Sequence, residues 1–148
     1  MTSPLLDFDR VILLSDAEDR ETVLREAAFL LASPGLDGEA VYEALRLRET
    51  MGSTALGQGV AVPHGRVDNL DARRACFIKL DKPVDFGGEQ ADLIFALLVP
   101  KTGQQGHLQL LAKIAEKLAR DGFRDALRNA NTKGLLYAAL TSSQGFGE

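Results

Sequence analysis

Apolar positions along this chain recur at two periods, and the switches between them divide it into elements. Residues 1–10 form a loosely patterned lead-in, followed by the short apolar run Val11-Ile12-Leu13-Leu14. From Val23 the period is helical. Val23, Leu24, Ala27, Leu30 and Leu31 fall along one side of a helix that Asp19 can cap and Ser33-Pro34-Gly35 ends. Asp37 can cap a second helix running to about Glu49, with Val41, Leu45 and Arg48 at spacings of four and three on one face. Strands are then predicted near Ala55–Leu56, Val60–Val62, Ala75–Leu80 and Leu93–Val99. The last is apolar almost throughout, as a strand covered on both faces should be. Gly87-Gly88 and Lys101-Thr102-Gly103 read as turns. A third helix begins near Gln104–His107 and runs to about Ala119, with His107, Leu111, Ile114, Ala115 and Leu118 on one face. Asp121-Gly122 breaks the chain before a short helix holding Phe123 and Leu127, and a last helix starts near Thr132. Residues 142–148 are small and polar and are expected to fray. Two helices, several strands and three more helices predict an α/β fold, a mixed sheet with helices on its faces. The pattern does not set the strand order.

Composition narrows the reading. At 148 residues the chain is expected to form a single domain, 1–148, large enough to bury a real core. A net charge of -4 with no basic run argues against nucleic-acid binding. The single cysteine, Cys76, excludes an internal disulfide and lies in an apolar stretch that makes it a buried thiol. No apolar run approaches membrane-spanning length and no leader pattern precedes the first elements, so no membrane insertion is expected and the cytoplasm is the simplest location.

The candidate chemistry sits between Arg48 and Gly65, in R-E-T-M-G-S-T-A-L-G-Q-G-V-A-V-P-H-G. His64 closes it, between Pro63 and Gly65. Pro63 restricts Val62 to extended backbone and Gly65 permits a sharp exit, so His64 is expected at a strand end facing a loop. Histidine titrates near neutrality, so it is largely an uncharged nucleophile at pH 7, with one ring nitrogen attacking and the other held by a fixed acceptor such as a backbone carbonyl. Gly57 and Gly59 let backbone N–H groups approach an anion, the Ser53 and Thr54 hydroxyls can donate further bonds, and Arg48 offers a planar cationic fork for phosphate. A turn histidine without chemistry is the commoner meaning of P-H-G alone. The whole segment favours a histidine that carries a phosphoryl group. Arg48 alone would equally well offset the negative end of a helix dipole, and Ser53 or Thr54 could cap a turn. Glu49 and Asp85 could orient groups near the site. Phe86 and its neighbouring glycines read as a turn. Two histidines and one cysteine, scattered, lack the spacing of a zinc site, so no metal or cofactor is expected.

The segment R-E-x-x-G-S-T-x-x-G-x-G-x-A-x-P-H-G resembles the active-site region of the enzyme IIA domains of the bacterial phosphotransferase system, in the fructose/mannitol/nitrogen-regulatory class. The resemblance covers most of the chain: Lys82-Pro83-Val84-Asp85-Phe86 is similar to a turn of that class, Asp92–Pro100 to its long apolar strand, and His107-Leu108-Gln109-Leu110-Leu111-Ala112 to a helix start. It implies an α/β sandwich around a central mixed sheet. It also implies a place for His107 beside the reactive histidine, where helical periodicity alone would leave a locally bonded histidine. The implied activity is a phosphoryl relay. A histidine-phosphorylated carrier, HPr or its nitrogen-branch paralogue, donates to Nε2 of His64, with Arg48, His107, Ser53, Thr54, Gly57 and Gly59 stabilising the phosphoryl oxygens. Three fates remain open: regulation of target proteins by the phosphorylated and bare forms, transfer to a IIB domain of a sugar transporter, or a IIA-like binding module that is not phosphorylated. With no fused IIB or membrane segment in the sequence, the regulatory, stand-alone type is the expectation.

Overall fold

The computed structural model describes residues 5–101 and 104–142, with backbone only for 104–106. The chain runs β1 (Leu6–Ser15), α1 (Arg20–Leu31), α2 (Gly38–Thr50), β2 (Ala55–Gly57), β3 (Val60–Ala61), β4 (His64–Val67), β5 (Arg74–Asp85), β6 (Gln90–Pro100), α3 (Gln104–Leu118), α4 (Asp121–Asn129) and α5 (Lys133–Leu140). One mixed sheet holds the strands in the order β1-β5-β6-β3-β2, with β4 also on β6. β5 and β6 form a long antiparallel hairpin, and β1 lies parallel to β5 at one edge. On its other side β6 carries β3 and β4 end to end, both parallel to it, with Val60 opposite Leu93 and His64 opposite Leu97.

Side-chain alternation on the hairpin sorts the core into two layers. Cys76, Ile78, Leu80, Ile94, Ala96 and Leu98 face α1 and α2 through Val23, Leu24, Ala27, Leu31, Val41 and Leu45. Ala75, Phe77, Leu93, Phe95, Leu97 and Val99 face α3, α4 and α5 through Ile114, Leu118, Phe123, Leu127, Leu136 and Leu140. The expected α/β sandwich is therefore present, and the unbroken apolar run of β6 follows from burial on both sides. Cys76 lies in the first layer, fully buried, where desolvation pushes its thiol up to about 12. Among the described residues no helix is long and apolar enough to cross a membrane, and no group of three or more His, Cys, Asp or Glu could hold a metal ion.

Several elements depart from the sequence reading. The lead-in is not loose throughout: β1 starts at Leu6, which is 1 % exposed and whose carbonyl accepts the Tyr137 hydroxyl at 3.1 Å. At this sheet edge residues 7–10 fall in a register shift between Leu6 and Val11 and none is buried, so polar residues there hid the strand. The Lys82–Asp85 stretch extends β5 across a register shift, and the turn begins only at Phe86, whose N–H donates to the Glu89 carbonyl at 2.7 Å. Asp121-Gly122 opens α4 rather than breaking the chain; the break falls at Ala119-Arg120. Asp19 caps α1 through the Thr22 N–H at 2.7 Å, whereas the Asp37 side chain makes no cap bond and only its carbonyl accepts Val41 N–H. Thr132 caps α5 through Leu135 N–H. Of the predicted turn at Lys101–Gly103, residues 102 and 103 lie outside the described residues, as do 143–148 of the predicted tail.

One packing contact positions the site. A Cβ placed on Gly65 would fall 2.9 Å from both the carbonyl carbon and the Cβ of Ala44. Glycine here is a requirement of close approach: α2 lies directly on β4, which carries the last turn of α2, with Arg48, beside His64. Gly65→Ala should overpack this contact and lower the unfolding free energy by about 1–3 kcal/mol, read by urea denaturation. An unchanged midpoint would mean α2 yields without strain.

Candidate functional site

His64 begins a further strand, β4, where the expectation was the end of the Val60–Val62 strand facing a loop. Val62, held extended by the following proline, donates its N–H to the Thr54 carbonyl at 3.0 Å, and the Pro63 carbonyl accepts Leu97 N–H at 2.9 Å. The strand then continues along β6. From this backbone the half-buried His64 ring places Nδ1 2.9 Å from the Val62 carbonyl oxygen. A carbonyl accepts only, so Nδ1 carries the proton and Nε2 keeps a lone pair. Burial holds the His64 pKa below the ordinary value, Arg48 and Arg66 push it the same way, and the Val62 bond and Glu49 oppose them. The ring is thus neutral and nucleophilic at pH 7.

A cavity of about 690 Å³ opens beside it, lined by His64, Arg48 and His107, with Arg66, Lys101 and Leu111 among the other walls. The three side chains that the sequence reading placed in a catalytic role therefore meet at one cavity. Arg48 donates Nη1 to the Gly52 carbonyl at 2.8 Å, which closes the end of α2 and orients the guanidinium. His107, buried in the first turns of α3, donates Nε2–H to the Pro100 carbonyl at 3.2 Å. Leu47, Met51 and Leu108 stand around the opening, each more than half exposed.

The remaining predicted phosphoryl contacts are arranged differently. Ser53 donates its hydroxyl to the Phe86 carbonyl at 2.5 Å and accepts Ala55 N–H at 3.1 Å. Thr54, 5 % exposed, donates its hydroxyl to a carboxylate oxygen of Glu49. Both residues line a second, smaller cavity together with Arg48 and His64, yet each hydroxyl proton is already committed to holding the loop. Gly57 and Gly59 form the β2–β3 turn with φ of 92° and 81°. They sit at the far end of β3, about 16 Å from His64 at about 3.3 Å per strand residue, and neither lines the cavity. Arg128 clasps that turn, bonding the Gln58 carbonyl at 2.8 Å and Asp92 at 2.8 Å. The glycines thus shape the β2–β3 turn. Asp85 accepts Gly88 N–H at 2.7 Å and only shapes the β5–β6 turn. Phe86 is fully buried at that turn.

Arg66 and Lys101 were not singled out from sequence. Arg66 was findable: two residues past His64 in a strand, it shares the face of the imidazole. Lys101, paired with Asp68 at 3.6 Å, reaches the cavity only because β6 ends there. Glu49, one of the weaker sequence candidates, turns out to be buried, its side chain 3 % exposed.

An NMR titration of His64 should give a midpoint below the ordinary value of about 6.5. Arg48→Ala should raise that midpoint, since a cation that disfavours imidazolium is removed. With the folded value depressed, the unfolded chain takes up the proton first on acidification. His64 then contributes its full stability above about pH 6.5 and loses it as pH falls through the folded midpoint. A wild-type midpoint at or above 6.5, or a fall on Arg48→Ala, would contradict the site electrostatics.

Comparison with known proteins agrees with the geometry. Residues 4–143 match the family model described as "Phosphoenolpyruvate-dependent sugar phosphotransferase system, EIIA 2". A nitrogen regulatory protein of Pseudomonas aeruginosa is 39 % identical over 130 residues, covering 84 % of each chain. The crystal structure of nitrogen regulatory protein IIA-Ntr from Neisseria meningitidis superposes with a TM-score of 0.87 at 35 % identity, covering 93 % of this chain and 97 % of that one. The mannitol IIA of Escherichia coli shares the fold, with a TM-score of 0.76 at 24 % identity over 90 % of this chain and 96 % of that one. With nearly its whole length matched, the chain belongs to the EIIA 2 family of the phosphoenolpyruvate-dependent sugar phosphotransferase system, a family of phosphotransfer proteins.

Proposed function

We propose that this protein accepts a phosphoryl group on Nε2 of His64 from a histidine-phosphorylated, HPr-like carrier, and acts in the cytoplasm as a phosphorylation-dependent regulator. The observation that carries the reading is the Nδ1–H bond to Val62, which reserves Nε2 as the nucleophile at a cavity shared with Arg48 and His107. In the transfer, the Nε2 lone pair forms the new N–P bond as the donor N–P bond breaks, its electron pair returning to the donor imidazole. Positive charge moves from the donor ring to the His64 ring, where the Val62 carbonyl accepts a strengthened Nδ1–H bond. Little covalent work is left for the protein. Positioning and charge supply the acceleration. The Arg48 guanidinium, with five N–H donors, has capacity for phosphoryl oxygens beyond its Gly52 bond. Because both partners are imidazoles, the exchange is close to balanced and reversible.

A new dianionic group at this cavity also changes what the face can bind. The bare form presents cations and exposed Leu47, Met51 and Leu108; the phosphorylated form presents a neutralised centre. The similarity to nitrogen regulatory proteins supports the regulatory destination over delivery to a IIB domain.

Incubation with phosphoenolpyruvate, enzyme I and an HPr-type carrier should add one acid-labile phosphoryl group by intact-mass spectrometry. His64→Ala should remain folded and unmodified. Arg48→Ala should slow transfer on the order of 100-fold. Phosphate retained on His64→Ala, or none on wild type with HPr and its nitrogen-branch paralogue both tried, would overturn the proposal.

A further inference from the structure

Glu49 immediately follows Arg48 but points the other way, into the protein. Its carboxylate accepts the Thr54 hydroxyl, lies 3.3 Å from Thr54 N–H and meets the Arg20 guanidinium at 3.5 Å. A buried carboxylate with three donors from two other segments fixes those segments strongly, because releasing either leaves a desolvated charge short of partners. The segment it fixes is the one His64 depends on. Thr54 gives its carbonyl to Val62 N–H at 3.0 Å, and Val62 gives its own carbonyl to His64 Nδ1 at 2.9 Å. Four residues therefore form one line of hydrogen bonds: Glu49, Thr54, Val62, His64. Successive bonds lie on different peptide groups, so the line does not conduct protons. What it transmits is position.

We infer that Glu49 is the positioning residue for His64, acting through Thr54 and Val62 to hold the carbonyl that selects the reactive ring nitrogen. The inference rests on His64 as the phosphoryl acceptor for its consequence, but the arrangement itself is independent of it. Thr54 then has a role distinct from the phosphoryl contact expected of its hydroxyl: it is the coupling between a helix end and the strand that presents the imidazole. The same turn of α2 thereby sets both the guanidinium, through Arg48, and the imidazole, through Glu49. Their relative placement is fixed by two adjacent residues.

The test compares Glu49→Met, Thr54→Val and Thr54→Ser with wild type, using long-range proton–nitrogen NMR on the unphosphorylated proteins alongside transfer from the phosphorylated carrier. Thr54→Val keeps the shape and removes the hydroxyl; Thr54→Ser keeps the hydroxyl. Glu49→Met and Thr54→Val should shift His64 from one Nδ1–H form towards a mixture of tautomers and slow transfer on the order of tenfold or more. Thr54→Ser should keep the wild-type tautomer and rate. A single Nδ1–H tautomer and a wild-type rate in folded Thr54→Val would overturn the inference, as would Thr54→Ser behaving like Thr54→Val. Should Glu49→Met not fold, Thr54→Val decides alone. If wild type takes no phosphate, the functional reading fails while the tautomer comparison still decides the role of Glu49.

Discussion

The hydrogen bond from His64 Nδ1 to the Val62 carbonyl settles which ring nitrogen keeps its lone pair, and the sheet settles that bond. β3 and β4 lie along the same edge of β6, separated by Val62 and Pro63. Proline has no N–H to leave unpaired at such a break, and its carbonyl is taken by Leu97. The ladder can therefore be interrupted beside the buried middle of β6 and resume in the same register without orphaning a polar group. Apolar layers cover both faces of β6, and His64 is paired directly to it through β4.

Charge around the imidazole meets two demands at once. Burial first, then Arg48 and Arg66, lower the His64 pKa and so favour the uncharged ring at pH 7. The same cations, with Lys101, surround the place where phosphoryl oxygens would gather. A carboxylate in their place would favour imidazolium and repel phosphate. Among the described residues the acidic group that weighs on His64 is Glu49, and it faces away into the protein, occupied by Thr54 and Arg20. A chain with net charge -4 thus keeps a cationic rim at this one cavity.

Much of this was legible in the residues. The period-3.6 runs located α1 and α2, and the apolar run of β6 declared a strand covered on both faces. Placing Arg48, His64 and His107 at one cavity needed the resemblance as well, since periodicity alone left Arg48 and His107 with local explanations. β1 was missed because the unburied residues 7–10, at a register shift of an edge strand, break the apolar pattern and look like a loop. The glycines near His64 carry two readings for a physical reason: close approach to an anion and close approach to another backbone require the same absence of a side chain. Gly65 accommodates Ala44, and Gly57 and Gly59 make a turn that Arg128 clasps. Ser53 and Thr54 carry two readings in the same way, since a hydroxyl able to bind phosphate is equally able to pin a loop. The partner that decides between these lies far along the chain for Ser53, at Phe86, and no local pattern encodes it.

The most direct test of the account is the position of the proton and of phosphorus on the His64 ring. Long-range proton–nitrogen NMR on wild type above pH 7, repeated after phosphorylation, reads both. The expected result is a neutral ring protonated on Nδ1, then phosphorus on Nε2 with Nδ1–H retained. A ring protonated on Nε2, or phosphorus on Nδ1, would mean that the Val62 carbonyl does not choose the nucleophile.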